Sequence, residues 1–299
     1  MLTQSATLII MASIQKDRFN VLKKIEALDP SSDFREIYRL MTTLEFPWDM
    51  NQALSFALFR TYAVPSIGSL LAHTGEMLQR VQKRYDDTVV VLDAILENGP
   101  TDGEGLAALR RMNQMHNSYN ISNGDMLYVL STFVVTPIRW MDDYGWRPMS
   151  ENEKIAAANY YADLGRRMGI REIPESWIEF TNFLDKYEEE NFALDAGGVK
   201  VAESTLELFT TFPPNHLLPK SLVYQMSYAL MDEPLLRAFG FPAPNAYFKK
   251  LVQSGLKLRG KVVRQLPPRK TPKWPREMPQ VRSYPKGYKI EEIGTFPNG

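Results

Sequence analysis

The sequence predicts an all-α protein with roughly ten helices around a single core, because three observations agree. Apolar residues recur at spacings of three and four along most of the chain, which is the pattern of a helix with one buried face. Pairs such as Ser150 and Glu153 form capping boxes that mark helix starts. No part of the chain alternates strands with helices, and no internal repeat is present.

The predicted helices begin where this period begins and end where turn residues interrupt it. They cover residues 35–44, 49–62, 67–78, 89–96, 109–117, 123–136, 151–168, 174–187, 199–212, 221–231, 234–239 and 247–259. The β-branched run at residues 89–92 keeps the helical period through Ile95, which favours a helix over a short strand. Pro137 is expected to end a helix at Thr136, or to kink that helix if it continues. Gly169 is expected to follow the last turn of another helix.

Charge and cysteine content exclude several partners and chemistries. Lysine plus arginine and aspartate plus glutamate each number 35 in 299 residues, so no overall field would attract nucleic acid. The chain has no cysteine, which excludes disulfides, thiolate nucleophiles, iron–sulfur clusters and thiolate-ligated haem. This composition also fits a reducing compartment.

Three segments are predicted: residues 1–30, a helical domain over residues 31–262, and a basic, proline-rich arm over residues 263–299. The apolar patch at residues 8–14 is far shorter than the roughly 20 residues that span a membrane. Its positive charges follow it, unlike those of a signal peptide. We therefore expect at most a peripheral membrane association through this end. The arm is expected to wrap over the domain or to be disordered.

The densest stretch of chemically informative residues covers residues 109–153. Within it, Leu109, Met112 and His116 lie at i, i+3 and i+7 on one apolar helical stripe, so the imidazole is expected to face inward. An inward imidazole needs a partner, which would be Asn113, a backbone carbonyl or a metal. The following helix is apolar nearly all round, as expected of a helix in a core.

Two pairs of arginine and tryptophan follow the apolar helix of residues 123–136. They are Arg139 with Trp140, and Trp146 with Arg147. Guanidinium groups stack on indole rings, and long cationic side chains reach out of a core towards water. The four residues are therefore predicted to share one buried or half-buried corner.

Standard motifs for hydrolysis and metal binding are absent from the sequence. It has no GxSxG, HExxH, Walker or GxGxxG motif. A di-iron carboxylate bundle needs Glu-x-x-His twice, yet Leu70, Asn113 and Pro213 stand three residues before the histidines. His73 and His216 are expected to be packed or surface residues without chemistry. A haem needs only one axial ligand and an apolar pocket, which an inward histidine in a helical core supplies.

Four segments carry a family resemblance, in this order: RMNQMH, YNISNGDMLYVLSTFVVTPIRW, YGWRPMSENE and GRRMGIREIP. They resemble the ER-bound oxygenase mpaB / rubber oxygenase catalytic domain family, and its fungal mpaB-like branch in particular. The similarity extends over residues 46–264. It implies an oxidoreductase with haem b that uses dioxygen to cleave a C=C bond of an apolar, prenylated or isoprenoid small molecule.

The resemblance also implies site residues. RMNQMH matches Arg111 to a basic residue on the distal side of the haem, with Arg110 as the neighbour that could substitute, and His116 to the histidine of that segment. In bacterial members an axial histidine falls on the following helix, near residues 128–130 of this chain, where none is present. Three alternatives follow: His116 is the axial ligand, Tyr128 ligates iron as a phenolate, or this branch binds haem differently. We favour His116.

Further roles rest on the same resemblance. Arg139 or Arg147 is expected to pair with a haem propionate, since a guanidinium suits a carboxylate. The carboxylate that supports the distal side in the rubber branch corresponds to Asp86 or Asp87.

Two other functions remain open: a helical lipid- or ligand-binding protein without redox activity, and an interaction protein that uses the arm. Many family members begin with a membrane anchor, of which residues 1–30 are a candidate remnant. The expected location is the cytoplasm or the cytosolic face of the endoplasmic reticulum. The sequon at residues 120–122 lies inside the core motif, where a glycan is not expected to fit, so the domain is predicted not to be secreted.

Overall fold

The computed structural model describes residues 18–294, and within them the fold is all-α, as predicted. Fourteen α-helices and no strand are present in this part of the chain. In chain order the helices are α1 Asn20–Glu26, α2 Phe34–Leu40, α3 Pro47–Thr61, α4 Pro65–Thr74, α5 Glu76–Gln79, α6 Val81–Asn98, α7 Gly103–Asn117, α8 Asn123–Tyr144, α9 Glu151–Arg167, α10 Trp177–Asn191, α11 Ala196–Thr210, α12 Lys220–Leu230, α13 Glu233–Phe239 and α14 Ala246–Gln265. A π-helical turn, Met41–Glu45, joins α2 to α3, and 3₁₀ helices lie at Asn215–Leu217, Pro275–Glu277 and Ile290–Glu292.

Helix α8 lies at the centre of the fold, as its composition predicted. It packs against α3, α9, α10 and α14. Its Tyr128 and Val134 side chains are fully inaccessible to solvent. A helix that is apolar on all sides is stabilised only when other helices surround it, because each side then leaves water.

The prediction that this helix ends at Thr136 is wrong, because α8 continues through Pro137 for about two more turns. An interior proline removes a backbone hydrogen bond and crowds the preceding turn, at a cost of about 3 kcal/mol. The added turns bury Ile138, Trp140 and Met141. Burial of such side chains contributes roughly 1.5–3 kcal/mol each, so packing outweighs the local preference.

Several local predictions are confirmed. The β-branched run at residues 89–92 is helical and lies within α6. The Ser150 side chain and Glu153 form the predicted capping box at the start of α9. Gly169 follows that helix with a φ of 77°, in the left-handed region that favours glycine.

Other helix ends differ from prediction. The helix expected over residues 67–78 is divided at Gly75, which has a φ of 74° and separates α4 from α5. Helix α3 begins at Pro47, where a missing N–H costs nothing in the first turn. Helix α14 continues past residue 259 to Gln265 and so crosses the predicted boundary at 262.

The chain beyond α14 forms an arm, residues 266–294, that wraps over the helical domain. Trp274 and Ile293 are buried against the core. Two carboxylates of α6 hold the arm: Asp93 and Asp86 each accept a hydrogen bond of 2.8 Å from a backbone N–H of the arm. Of the two predicted behaviours, wrapping is the one observed for the described part of the arm.

The apolar patch at residues 8–14 and its predicted membrane association lie outside the described residues. Helix α1, which follows the patch, packs Val21 and Ile25 against Ile37 of α2. Within residues 18–294 no single helix has both the length and the hydropathy to cross a bilayer. Helices α3 and α4 are long and apolar enough only when they are taken together, and the chain bends by 97° at the break between them.

Candidate active site

A cavity of about 460 Å³ lies among α3, α4, α6, α7, α8 and α11. Its wall is mainly apolar and includes Leu58, Met112, Val129 and Phe133. Gly294 of the arm also contributes to the wall. This volume falls within the range of about 300–1,000 Å³ that is usual for small-molecule sites.

His116 projects from α7 towards this cavity, as its apolar spacing predicted. Its imidazole is half-buried, and the Nδ1 atom is inaccessible and has no hydrogen-bond partner within residues 18–294. Burial and, to a smaller extent, the charge of Arg84 lower the pKa of His116 to about 4, and the nearby backbone carbonyl of Met112 opposes them. The imidazole is therefore neutral at pH 7, which is the form that binds metals.

Arg84 of α6 is the only lysine or arginine of the described chain in the cavity wall. Its Nη1 atom donates to the Thr88 hydroxyl, one turn further along, and its guanidinium forms no ion pair with a carboxylate within residues 18–294. The sequence analysis missed Arg84, although a signal was present. Arg84, Thr88 and Val91 lie at i, i+4 and i+7, so a charge interrupts the apolar stripe of α6 as His116 interrupts that of α7.

Asp86 and Asp87 are the two candidates for the carboxylate that supports the distal side, and they differ in position. Asp87 lines the cavity, where it accepts a bond of 2.9 Å from Lys83 and another from the Tyr284 hydroxyl. Asp86 is fully buried outside the cavity wall and accepts from the N–H and hydroxyl of Ser283. Both carboxylates therefore attach the arm to α6, and Asp87 alone of the pair reaches the cavity.

The remaining acidic residues of the wall are also bonded. Asp125 accepts from the Ser66 hydroxyl at 2.8 Å and from the Tyr187 hydroxyl at 2.9 Å. Glu76 forms an ion pair with Arg80, one turn later. Within the described wall, Asp87 and Glu76 are paired with cations, whereas Asp125 is bonded to neutral hydroxyl groups.

Arg111 does not line the cavity, contrary to the prediction that it lies near an oxygen-binding position. Its side chain is buried, with Nε donating to the Ile293 carbonyl at 2.8 Å and Nη1 to Gln114 at 2.8 Å. His116 is five positions after Arg111, which places the two side chains about 140° apart around the helix. Arg111 therefore faces the arm while His116 faces the cavity, and the neighbouring Arg110 is exposed.

Tyr128 also faces away from the cavity. Its hydroxyl donates to Glu188 at 3.0 Å, and Glu188 accepts a second bond of 2.8 Å from Nε of Arg60. Burial raises the pKa of Tyr128 well above its ordinary value, and the charge of Glu188 raises it further. A neutral phenol bonded to a carboxylate does not suit the predicted alternative of a phenolate ligand.

The two arginines expected at haem propionates lie outside the cavity wall. Arg139 is 45% exposed and donates to Asp185 of α10 at 2.6 Å. Arg147 is buried and forms ion pairs of 2.6 Å with Glu153 and 2.9 Å with Glu45. Each guanidinium is already bonded to carboxylates, so neither is available to a group in the cavity.

The prediction of one corner with four members is wrong. Trp140 donates to Asp49 at 3.2 Å, whereas Trp146 donates to the backbone carbonyl of Glu45 at 3.1 Å. Arg147 lies over the Trp146 ring at 5.0 Å. The corner therefore consists of the second pair alone, because the unbroken α8 carries Arg139 and Trp140 to other sides of the helix.

The other histidines take no part in the cavity. His73 and His216 are exposed, as expected of residues without chemistry. No group of three or more histidine, aspartate or glutamate side chains in the described range could hold a metal ion.

A comparison with protein-family models matches two thirds of this chain. The model of the ER-bound oxygenase mpaB/B'/rubber oxygenase catalytic domain matches residues 54–254. The chain belongs to this family. The matched range includes both Arg84 and His116, and the family that the resemblance indicated is confirmed.

Three fungal relatives are similar to this mpaB-family protein. The ER-bound oxygenase mpaB' of Penicillium brevicompactum is 30% identical over 250 residues, which cover 78% of this chain and 59% of the relative. The ER-bound oxygenase mpaB of Penicillium roqueforti (strain FM164) is 29% identical over 221 residues, 68% of this chain and 74% of the relative. The mpaB of P. brevicompactum is 35% identical over 140 residues, 45% of this chain and 36% of the relative. The chain thus spans less than two thirds of the mpaB' relative.

The argument from the sequon at residues 120–122 does not hold for this mpaB-family protein. Asn120 is exposed at the cavity wall rather than buried in the core. A glycan would therefore meet no packed core at this position, and the predicted location stays a prediction.

Proposed function

We propose that this mpaB-family protein is a haem-dependent oxygenase that acts on an apolar, prenylated or isoprenoid small molecule in the cavity beside His116. The observation that carries the proposal is the His116 imidazole, which is neutral, faces an apolar cavity and leaves Nδ1 without a partner. A buried polar atom without a partner costs roughly 1–3 kcal/mol. Iron bound at the other ring nitrogen would add a coordinate bond, whose free energy would offset that cost.

The residues of the cavity fit a haem b in two respects and depart from expectation in one. His116 can hold the iron, and the apolar wall offers a volume in the usual range for small-molecule sites. The departure concerns the propionates, because Arg84 is the only lysine or arginine in the described wall. When bound, haem supplies the iron centre at which dioxygen is activated.

The chain's own residues would do the rest. Arg84 holds a positive charge and free N–H groups towards the cavity, where they can stabilise negative charge that develops on oxygen. Met112, Val129 and Phe133 exclude water and align an apolar chain. Cleavage of a C=C bond by dioxygen gives two carbonyl products and balances without an external reductant.

An absorption spectrum of the purified, haem-supplied protein tests the proposal. We expect a Soret band and iron in about one-to-one ratio with the chain in wild type, and loss of the band in His116→Ala with helical content retained. His73→Ala is the matched control, because this histidine is exposed, and Tyr128→Phe tests the phenolate alternative. A wild-type protein without a Soret band or iron would exclude haem, and an unchanged spectrum in His116→Ala would exclude this ligand.

The second candidate function is a helical lipid- or ligand-binding protein without redox activity. The observation that favours it is the lack of predicted propionate partners in the cavity wall. It predicts binding of a fluorescent prenylated ligand without oxygen uptake, and equal binding by wild type and His116→Ala. Oxygen consumption that depends on a prenylated substrate would rule it out.

A further inference from the structure

The outer face of α14 exposes an apolar stripe. Tyr247, Leu251, Leu258 and Val262 are 86%, 68%, 61% and 52% exposed, respectively. At 100° per residue these four positions fall within about 60° of one another around the helix. The stripe extends for about 22 Å along the helix axis. Scattered apolar residues on a surface need no explanation, but a continuous stripe marks a contact site.

A basic stripe runs beside the apolar one on the same outer face. It consists of Lys250, Lys257, Lys261 and Arg264, which are all exposed and also fall within about 60° of one another. No aspartate or glutamate occurs within α14, and none of these four cations forms an ion pair within residues 18–294. Because the whole chain has a net charge of zero, this concentration of positive charge is local.

The opposite face fixes the orientation of α14 on the domain. The Arg259 guanidinium lies 3.7 Å from the centre of the Trp48 ring and pairs with Asp49 at 2.8 Å. Gly260 is buried where α14 crosses the end of α8, and a Cβ there would lie 2.9 Å from the Gly145 carbonyl oxygen. The helix also packs on α12. It cannot rotate to bury its outer face without losing these contacts.

We propose that α14 docks this protein on an anionic lipid surface, with the helix axis parallel to the membrane. Helices that lie in a membrane interface bury an apolar stripe at the boundary between headgroups and acyl chains. Lysine and arginine beside that stripe reach anionic headgroups, and tyrosine suits the same depth. A second copy of the chain is a poorer occupant, because an isologous contact through α14 would bring no carboxylate of that helix to the lysines.

Vesicle sedimentation with the full chain tests this surface. We expect binding to phosphatidylcholine vesicles that contain about one-third phosphatidylserine, little binding to pure phosphatidylcholine, and loss of binding at about 0.5 M salt. Lys250→Glu/Lys257→Glu and, separately, Leu251→Gln/Leu258→Gln should each weaken binding by about tenfold or more, because charge and apolar burial both contribute. Both variants alter exposed side chains, so their thermal unfolding should match wild type.

Matched variants elsewhere on the surface provide the controls. Lys24→Glu/Lys200→Glu makes the same charge change at exposed positions, and Leu194→Gln/Leu217→Gln removes leucines that are 69% and 75% exposed. Both should bind vesicles as wild type does. The proposal is overturned if the α14 variants bind vesicles as wild type does. It is also overturned if wild type binds neutral and anionic vesicles equally, or binds neither kind of vesicle. Self-association that the leucine variant abolishes, without vesicle binding, would assign the stripe to a dimer instead.

Discussion

Two regions of this protein each contain an arginine, but the arginine has different partners in each. In the first, the Arg147 guanidinium bonds to Glu45 and Glu153 at 2.6–2.9 Å. In the second, Arg84 bonds to a hydroxyl alone, and the Nδ1 atom of His116 is buried without a hydrogen-bond partner within the described residues. Arg147 and His116 were candidates on the sequence, whereas Arg84 was not, and only the second region borders the cavity.

The difference shows how to separate a structural cation from one that is available for chemistry. Burial alone would lower the pKa of Arg147, but bonds to Glu153 and the charges of Glu153 and Glu45 outweigh it and raise that pKa. Arg84 has no such carboxylate, and its charge instead lowers the pKa of His116. A cation whose charge is fully paired fixes the fold, whereas an unpaired cation beside a cavity can act on a ligand.

The largest effect is expected when the paired region is broken. Arg147→Met should lower the free energy of unfolding by about 3–5 kcal/mol, because Glu153 would remain buried without its partner and Glu45 would keep only Arg18, at 3.7 Å. Urea unfolding followed by circular dichroism measures the change. Ligand binding in the cavity should persist in the folded fraction. A decrease in the free energy of unfolding below about 1 kcal/mol would contradict the structural role of Arg147.

The pH dependence of stability should have opposite signs in the two regions. Because the pKa of His116 falls from 6.5 to about 4 on folding, the unfolded chain takes up this proton first, and stability is lost as the pH falls from 6.5 to 4. His116→Gln should remove roughly 1–3 kcal/mol of that loss. Burial raises the pKa of Glu45, so its contribution is present below the ordinary value of 4.5 and is lost as the pH rises.

Stability curves of wild type, His116→Gln and Glu45→Gln between these pH values measure both contributions. His116→Gln should remove a contribution that increases stability as the pH rises, and Glu45→Gln should remove one that decreases it. If His116→Gln leaves the slope between pH 6.5 and 4 unchanged, the imidazole is not held neutral by the cavity.

Removal of the unpaired cation should affect chemistry more than stability. Arg84→Met should lower oxygen uptake on a prenylated substrate by about tenfold or more, because a charge-stabilising donor is lost. It should also raise the pKa of His116, since the charge of Arg84 lowers it. Nuclear magnetic resonance titration of His116 gives this second readout without cofactor.

Arg110→Met is the control for Arg84→Met, because Arg110 is exposed on α7. It should leave both oxygen uptake and the His116 titration unchanged. Equal effects of the two substitutions would show that Arg84 has no special position at the cavity.

The smallest effect is expected at the exposed ion pair of Arg139 with Asp185. Arg139→Met should change the free energy of unfolding by about 0–1 kcal/mol, since exposed ion pairs gain little over hydrated charges. Haem retention should not change, because Arg139 lies outside the cavity wall. A lower retention in Arg139→Lys would instead support the predicted propionate contact.

Periodicity and capping residues predicted most of the fold because they act within a few turns. The inward orientation of His116 followed from two apolar neighbours on its own helix, and the boundary of α9 followed from Ser150 with Glu153. The course of α8 past Pro137 could not be predicted in this way. Its continuation depends on side chains that α3, α9 and α10 bury, and those helices come from distant parts of the chain.

The sequence by itself determined that this protein is helical, that it belongs near the mpaB and rubber oxygenases, and that His116 faces inward. Only the tertiary structure decided that Arg84 rather than Arg111 accompanies His116, and that Arg147 is bound by two carboxylates. The physical reason is the range of the interactions. A helical stripe is set by neighbours three or four residues away, whereas a cavity or an ion pair forms between helices whose arrangement depends on the packing of the whole core.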